Sequence, residues 1–333
     1  MVRRFVILSA LVISTTLSVS AQQPSSRFSA YKFVRFIQYL SGINVDTINV
    51  NKLVDNAIIE MLAQLDPHSI YISKEDVQAM NEPLEGNFEG IGVEFNIMND
   101  TLMVVNPISG GPSERVGILS GDRIVAIDGK SITNIGLKIP DVHKYLRGAK
   151  GTKVKVQIAR RGVEKPLEFT ITRDRIPIYS IDATYMAQPG VGYIKVNRFA
   201  ATTDQEFSDA MEKLSKQKMK DVIIDLRNNG GGLLNVAYEM ANHFFEAGKL
   251  IVYTEGRNSP RTNFFSDSKG QLFKGRVIIL IDEGSASASE ILSGALQDWD
   301  RGIIVGRRSF GKGLVQNQLP LPDGSMIRLT VAK

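Results

Sequence analysis

The chain has 333 residues, 43% hydrophobic and 23% charged, which is long enough for two or three modules and apolar enough to pack them. It has no cysteine and three scattered histidines, His68, His143 and His243, without HExxH spacing; disulfides, thiolate nucleophiles and cysteine-based zinc sites are excluded, and a metal centre or histidine triad is disfavoured. The net charge of +5 is too small and too dispersed for a nucleic-acid footprint, so no nucleic-acid partner is expected.

Residues 1–21 place Arg3 and Arg4 before an apolar run from Phe5 to Val12, then a Ser/Thr-rich stretch ending in Val19-Ser20-Ala21. A charged start, an apolar stretch and a small-residue cleavage site read as an export signal, with a periplasmic or cell-envelope location and a mature start at Gln22. An uncleaved leader would instead give a membrane association. No later segment approaches the ~20 apolar residues that span a bilayer.

From Arg27 to Met80 the pattern is helical: Leu53, Val54, Ala57, Ile58, Met61, Leu62 and Leu65 recur at steps of three and four. Asp66-Pro67-His68-Ser69 breaks it, and His68 reads as a loop-stabilising residue. A helical region is therefore expected over 22–85.

Residues 86–173 change to short strands with glycine turns. Strands are expected at Gly90 to Phe95, Leu102 to Val105, Arg123 to Ile127 and Val154 to Ile158, with a hairpin turn at Asp128-Gly129-Lys130 and a short helix from Asp141 to Leu146. This reads as a small mixed domain.

From Ile176 strands and helices alternate. Val191 to Val196 is a strand, and Thr203-x-x-Glu206 reads as a capping box ahead of Phe207, Ala210, Met211 and Leu214. Val222 to Asp225 and Val277 to Ile281 are buried strands, each followed by a helix, over about Leu233 to Phe245 and Ala288 to Gln297. Such alternation predicts an α/β domain with a largely parallel sheet covered by helices. The last segment, 326–333, places Ile327, Leu329 and Val331 on one strand face and stops without a turn or cap, so the last domain, 174–333, is expected to be cut short.

Three segments can carry chemistry. Asp282-Glu283-Gly284-Ser285-Ala286-Ser287-Ala288-Ser289-Glu290 joins a buried strand to a helix, where small residues admit a substrate and the helix start offers unpaired N–H groups. A serine oxygen there is placed to pass negative charge to backbone donors, although the stretch serves equally as a serine-rich N-cap. With histidine scarce, the leading base is Lys312 in Gly311-Lys312-Gly313, with Gln316 four residues on and able to orient its ammonium; the alternative is a surface lysine in a turn. A lysine base must be neutral, and lowering its pKa from ~10.4 to near 7 takes about 4–5 kcal/mol of burial or nearby positive charge. Ser309-Phe310-Gly311-Lys312 fits an SxxK pattern, but its glycines and the absence of SDN and KTG elements speak against that pairing. Asp225-Leu226-Arg227-Asn228-Asn229-Gly230-Gly231-Gly232 ends a strand with bare N–H groups suited to a phosphate, an oxyanion or simply a tight turn, and meets neither the Walker nor the GxGxxG pattern.

Taken together, LDPHS (Leu65 to Ser69), GIGVEF (Gly90 to Phe95), SGDRIVAIDGK (Ser120 to Lys130), LRGAKGT (Leu146 to Thr152), DLRNNGGG (Asp225 to Gly232), GSASASE (Gly284 to Glu290) and SFGKGLVQ (Ser309 to Gln316) resemble the C-terminal processing peptidase family, from about Val45 to the last residue. The resemblance implies a mixed α/β chain: a crotonase/Clp-protease-like catalytic domain carrying an inserted PDZ domain, after a helical N-terminal segment. It places the nucleophile on Ser287, the base on Lys312, the orienting glutamine on Gln316 and the oxyanion hole on the backbone of Ala288 and Gly231, with Gly232 shaping the turn. Gly230 departs from the proline common there. The PDZ-like region is expected to bind a substrate C-terminus by strand addition, with Gly90-Ile91-Gly92-Val93 as the carboxylate loop, and Arg147 to be a solvated cation.

The activity implied is a serine endopeptidase acting by acyl transfer, without cofactor or metal, on exported proteins with free apolar C-termini. Homo-oligomer formation stays open. The alternatives are an inactive PDZ-containing binding protein, and acyl-CoA chemistry on the same fold, which the export signal and the Ser/Lys pair disfavour.

Overall fold

The computed structural model describes residues 26–267 and 272–333, so the export signal read in residues 1–21 lies outside the described residues. The chain divides after Gln64 into two units. The first holds α1 (Ser26–Ile43) and α2 (Val50–Ala63), the latter capped by Asn49, whose side chain accepts from the Lys52 N–H. No described helix is long and apolar enough to cross a membrane.

The second unit begins with β1 (Ile70–Ile72) and α3 (Lys74–Glu85), capped by the Ser73 hydroxyl. The helical expectation for this segment therefore holds only in part. The Asp66-Pro67 break is followed by a strand that pairs antiparallel with the last strand of the chain, a long-range contact that no local periodicity encodes.

Next come β2 (Asn87–Gly90), β3 (Val93–Met98), β4 (Thr101–Pro107), α4 (Pro112–Arg115), β5 (Arg123–Ile127), β6 (Lys130–Ser131), α5 (Ile139–Leu146), β7 (Lys153–Ala159), β8 (Leu167–Thr172) and β9 (Asp174–Pro177). An antiparallel sheet runs β3-β4-β5-β7-β8, with β6 beside β5. Period-two alternation drives it: Val154, Val156 and Ile158 are buried while Lys153 and Lys155 face solvent. The core that results contains Leu102, Val104, Ile124, Ile171 and Leu146 from α5. Gly90 to Phe95 is not one strand; it breaks at Ile91-Gly92, where β2 leaves to pair with β9.

The third part contains β10 (Ile181–Gln188), β11 (Val191–Val196), α6 (Thr203–Lys216), β12 (Asp221–Asp225), α7 (Leu234–Asn242), β13 (Leu250–Gly256), β14 (Ser259–Phe265), β15 (Val277–Ile281), α8 (Ala288–Asp298), β16 (Ile303–Gly306), β17 (Val315–Pro320) and β18 (Met326–Ala332). Its sheet runs β10-β11-β12-β15-β16 and is parallel from β11 to β16. The central strands are apolar because both faces are covered: Ile194, Val222, Ile224, Val277 and Ile279 pack against Phe207 of α6, Met240 of α7 and Leu292 and Leu296 of α8. Each such side chain contributes about 1.5–3 kcal/mol on burial. The capping box expected at Thr203 does not form: the N-cap is Thr202, without a side-chain cap hydrogen bond, and its hydroxyl donates to Glu206, whose other oxygen accepts from the N–H of Ser180 and Ile181, while Thr203 is buried against Ser180.

Two features of this topology build the site. Strands β12 and β15 are parallel neighbours, so their strand-to-helix turns emerge side by side at the same sheet edge. A separate sheet, β1-β18-β17, carries Gln316 opposite Thr330 and brings the Asp66 loop to Thr330.

Candidate active site

The turn after β15 and the turn after β12 brace each other through hydrogen bonds that use up most of their polar groups. Asp282 accepts from the Asn228 N–H at 2.8 Å, and the Asn229 carbonyl accepts from the Ala286 N–H at 3.0 Å. Of the three serines in this turn, Ser285 donates to the Leu226 carbonyl and Ser289 to the Asn229 carbonyl, each at 2.8 Å, and both are fully buried. Ser287 alone of the three faces the cleft. It is held at φ 56°, ψ −112°, a conformation that costs a non-glycine residue roughly 1–3 kcal/mol. Ser285 and Ser289 thus act as braces between the turns, while Ser287 is itself the N-cap of α8, its N–H bound to Glu290 in a capping box.

The cleft, about 760 Å³, is lined by Ser287, Lys312, Gln316, Gly230, Gly231, Gly232 and Arg328 and by apolar side chains including Leu233, Val252 and Ile291. Lys312 is half-buried. Burial first, and then the positive charge of Arg328, lower its pKa from the ordinary lysine value, against an opposing pull from Asp66. Both influences favour the neutral form of a lysine. Among the described residues no direct hydrogen bond joins Ser287 Oγ to Lys312 Nζ; the two side chains share the cleft.

What fixes their backbones is Glu290, on the first turn of α8. Its Oε2 accepts from the N–H of Ser287 at 2.8 Å and of Lys312 at 2.9 Å, while Oε1 accepts from the Gly311 N–H and the Ser309 hydroxyl, each at 2.7 Å. Burial raises the pKa of this carboxyl, but the four donors outweigh burial and hold it below the usual range. The Ser309 hydroxyl is committed to Glu290, which removes it from an SxxK role.

The backbone donors are close to Ser287. Gly231 has φ +96°, and a Cβ there would lie 2.6 Å from the Ala286 oxygen and 3.0 Å from Ser287 Cβ, so only glycine allows the turn after β12 to approach the serine. The Gly231 N–H donates to Asn229 Oδ1 at 2.9 Å in this structure. A Cβ on Gly232 would fall 2.1 Å from the Phe199 carbonyl, consistent with a shaping role, whereas Gly230 has open space. The Ala288 N–H sits in the first turn of α8, where no intrahelical acceptor exists.

Residues 190–333 match the family described as Peptidase family S41, and residues 103–160 match the PDZ domain. A carboxy-terminal-processing protease of Bartonella bacilliformis is 36% identical over 344 residues, covering 100% of this chain and 78% of that protein. The chain belongs to the carboxy-terminal processing proteases of peptidase family S41. The carboxy-terminal processing protease CtpA of Bacillus subtilis is 36% identical over 284 residues, with 85% of this chain and 60% of that protein covered, so the chain spans well under the full length of some relatives. Among solved structures, a photosystem II D1 C-terminal processing protease has 29% identity and a TM-score of 0.50, with 90% of this chain and 81% of that one covered.

In this family member the PDZ domain is tied to the cleft by α3. Asn81, Leu84 and Glu85 line the cleft, and Glu82, one residue along, is buried and pairs with Arg147 at the end of α5. Arg147 also lies over the Phe88 ring at 5.1 Å. The expectation of a solvated Arg147 is corrected: a buried carboxylate and an aromatic face hold it, and neither partner lies near it in sequence. In the Gly90-Ile91-Gly92-Val93 segment, the Ile91 carbonyl accepts from the Ser113 N–H and hydroxyl and the Gly92 carbonyl from the Ile108 N–H, so the loop is anchored by its carbonyls.

Sequence reasoning missed Glu290, Arg328, Asp66 and Thr330 as site residues. Glu290 had a signal, since it stands three residues after Ser287 at the start of a helix. Arg328 and Thr330 had none, because their relation to the site runs through strand pairing.

Proposed function

We propose that this protease cleaves exported protein substrates at or near their C-termini by a Ser287–Lys312 dyad and an acyl-enzyme. Neutral Lys312 takes the Ser287 hydroxyl proton as Oγ attacks the scissile carbonyl carbon. The tetrahedral oxyanion is met by the Ala288 N–H and by that of Gly231, whose peptide has to leave Asn229 Oδ1 to reach it. Lys312 then gives the proton to the leaving amine, and water, deprotonated by the same lysine, releases the acyl group and restores Ser287. Gln316 orients Lys312 from β17.

In this reading residues 86–173 form the PDZ module that receives the substrate's free apolar C-terminus along β3, and residues 174–333 form the peptidase domain. With the carbonyls of Ile91 and Gly92 tied back, the amides of that loop are the groups left to meet a carboxylate. The export signal over 1–21 supports a periplasmic or cell-envelope location. The observation that carries the proposal is that Ser287, alone among the three serines of its turn, shares a cleft with a lysine whose pKa burial and Arg328 both lower. The test is digestion of an unstructured polypeptide with a free apolar C-terminus, with products read by mass spectrometry. Fragments from the wild type and none from Ser287→Ala are expected; equal fragmentation by the variant would refute the dyad.

A further inference from the structure

A hydrogen-bonded chain leads away from the cleft to a part of the protein that the proposed mechanism does not use. Asp66, in the loop before β1, accepts at Oδ1 from the N–H of His68 at 2.9 Å, the N–H of Ser69 at 3.0 Å and the Thr330 hydroxyl at 3.1 Å, and at Oδ2 from the Ser69 hydroxyl at 2.6 Å. The Ser69 hydroxyl oxygen in turn accepts from the Thr330 N–H at 3.1 Å. Thr330 and Gln316 are cross-strand partners on β18 and β17, and Gln316 Nε2 donates to the Thr330 hydroxyl at 3.4 Å.

The chemistry of these groups allows only one direction for the chain. A carboxylate has no hydrogen to give, and the hydrogen bonds to Asp66, led by the one from Ser69, hold its pKa below the ordinary value. The single hydrogen of the Thr330 hydroxyl is therefore committed to Asp66. Its oxygen can then only accept, so the NH2 end of the Gln316 amide must face Thr330. The carbonyl end is then free to turn toward the cleft, which Gln316 and Lys312 both line. Without this constraint a glutamine amide can turn over and present either end.

We propose that Asp66, acting through Thr330, is a positioning element that fixes the Gln316 amide with its carbonyl oxygen toward Lys312, so that the amide accepts from the lysine and leaves the nitrogen lone pair free for the Ser287 proton. A reversed amide would aim N–H groups at that lone pair and block the base. This rests on the Ser287–Lys312 reading. It extends the dyad by two residues, Asp66 and Thr330, that lie 264 positions apart and meet only through the β1-β18-β17 sheet. Lys312 senses the charge of Asp66 and, with opposite effect, that of Arg328, which stands two residues before Thr330 on β18.

The test compares Thr330→Val and Thr330→Ser in the full-length protein, with β-casein as the unstructured substrate and Tm as the measure of folding. Thr330→Val, isosteric but without the hydroxyl, is expected to lower kcat about tenfold or more with KM within about twofold, since misorienting a catalytic group acts on the chemical step. Thr330→Ser restores the hydroxyl and most of kcat. In a Gln316→Met background, Thr330→Val causes no further loss, because the residues act as one unit. Wild-type kcat in Thr330→Val, failure of Ser to rescue, or additive losses in the double variant would each overturn the proposal. Should Val lower Tm below the assay temperature, Thr330→Ala removes the same hydroxyl and is read by the same criteria. Retained cleavage by Ser287→Ala refutes the dyad itself, whereas an inactive Ser287→Ala beside a fully active Thr330→Val refutes only the relay.

Discussion

Ser287 and Lys312, 25 positions apart in the chain, are bound to one oxygen atom: Glu290 Oε2 accepts from both backbone N–H groups, at 2.8 and 2.9 Å. The carboxylate thus sets the spacing of nucleophile and base while touching neither reactive atom. Replacing it by glutamine turns one acceptor into a donor facing donors, which leaves at least one of these part-buried or exposed groups without its acceptor, at a cost of up to about 1–3 kcal/mol. Glu290→Gln is expected to lose most of its kcat and part of its thermal stability, measured by initial rates and calorimetry.

The same carboxyl gives a pH dependence of stability. Its folded pKa lies below the unfolded value of ~4.3, so its stabilisation is fully present above that value and is lost as pH falls through the depressed folded pKa. Tm is expected to drop below about pH 4. Glu290→Gln should flatten that drop, and an unchanged acid profile in the variant would show that other carboxylates govern it.

Arg328 makes the neutral form of Lys312 easier to reach. Because the base must be unprotonated, activity rises with pH through the lysine pKa, which burial and then Arg328 hold below the ordinary 10.5. Arg328→Gln removes the second influence, so the acid limb of kcat/KM moves to higher pH. A limb that stays in place would mean that Arg328 acts on substrate rather than on Lys312.

The three glycines after Asn229 differ sharply in what they permit. Gly230 has no neighbour within 4 Å of a built Cβ, whereas at Gly231 the Cβ meets the Ala286 oxygen at 2.6 Å in a positive-φ backbone. Gly230→Ala should be close to wild type in Tm and kcat. Gly231→Ala should be inactive, since the turn after β12 must withdraw from Ser287. Parity of the two variants would remove the close-approach argument.

Glu82 is nearly buried, its side chain 6% exposed, with Arg147 as its ion-pair partner. Truncating Arg147 to Ala leaves that carboxyl with the Gln78 amide but no cation, and is expected to cost up to roughly 3 kcal/mol in urea unfolding. Arg147→Lys should recover only part of it, because the planar guanidinium also lies over Phe88.

The elements that the sequence revealed are those whose signal is local. Buried strands β12 and β15, the helices after them and the alternating β7 could be read from periodicity alone, and the glycine and serine turns pointed to the reacting edge of the sheet. Strand β1 could not, because three residues after a Pro break carry no period, and its partner lies at the far end of the chain. For the same reason Asp66 and Thr330 looked like loop and strand residues, and Arg147 like a surface cation, until the sheets brought their partners to them. The choice of Ser287 over Ser285 and Ser289 likewise rests on which carbonyls the neighbouring turn offers.

In the proposed dyad Ser287 is the hydroxyl that Lys312 activates. Treating the protein at neutral pH with a fluorophosphonate and mapping the adduct by peptide mass spectrometry tests this directly. Modification of Ser287, lost in Lys312→Ala while that variant keeps the wild-type Tm, is the predicted result. An adduct on a different serine, or undiminished labelling of Ser287 in folded Lys312→Ala, would contradict it.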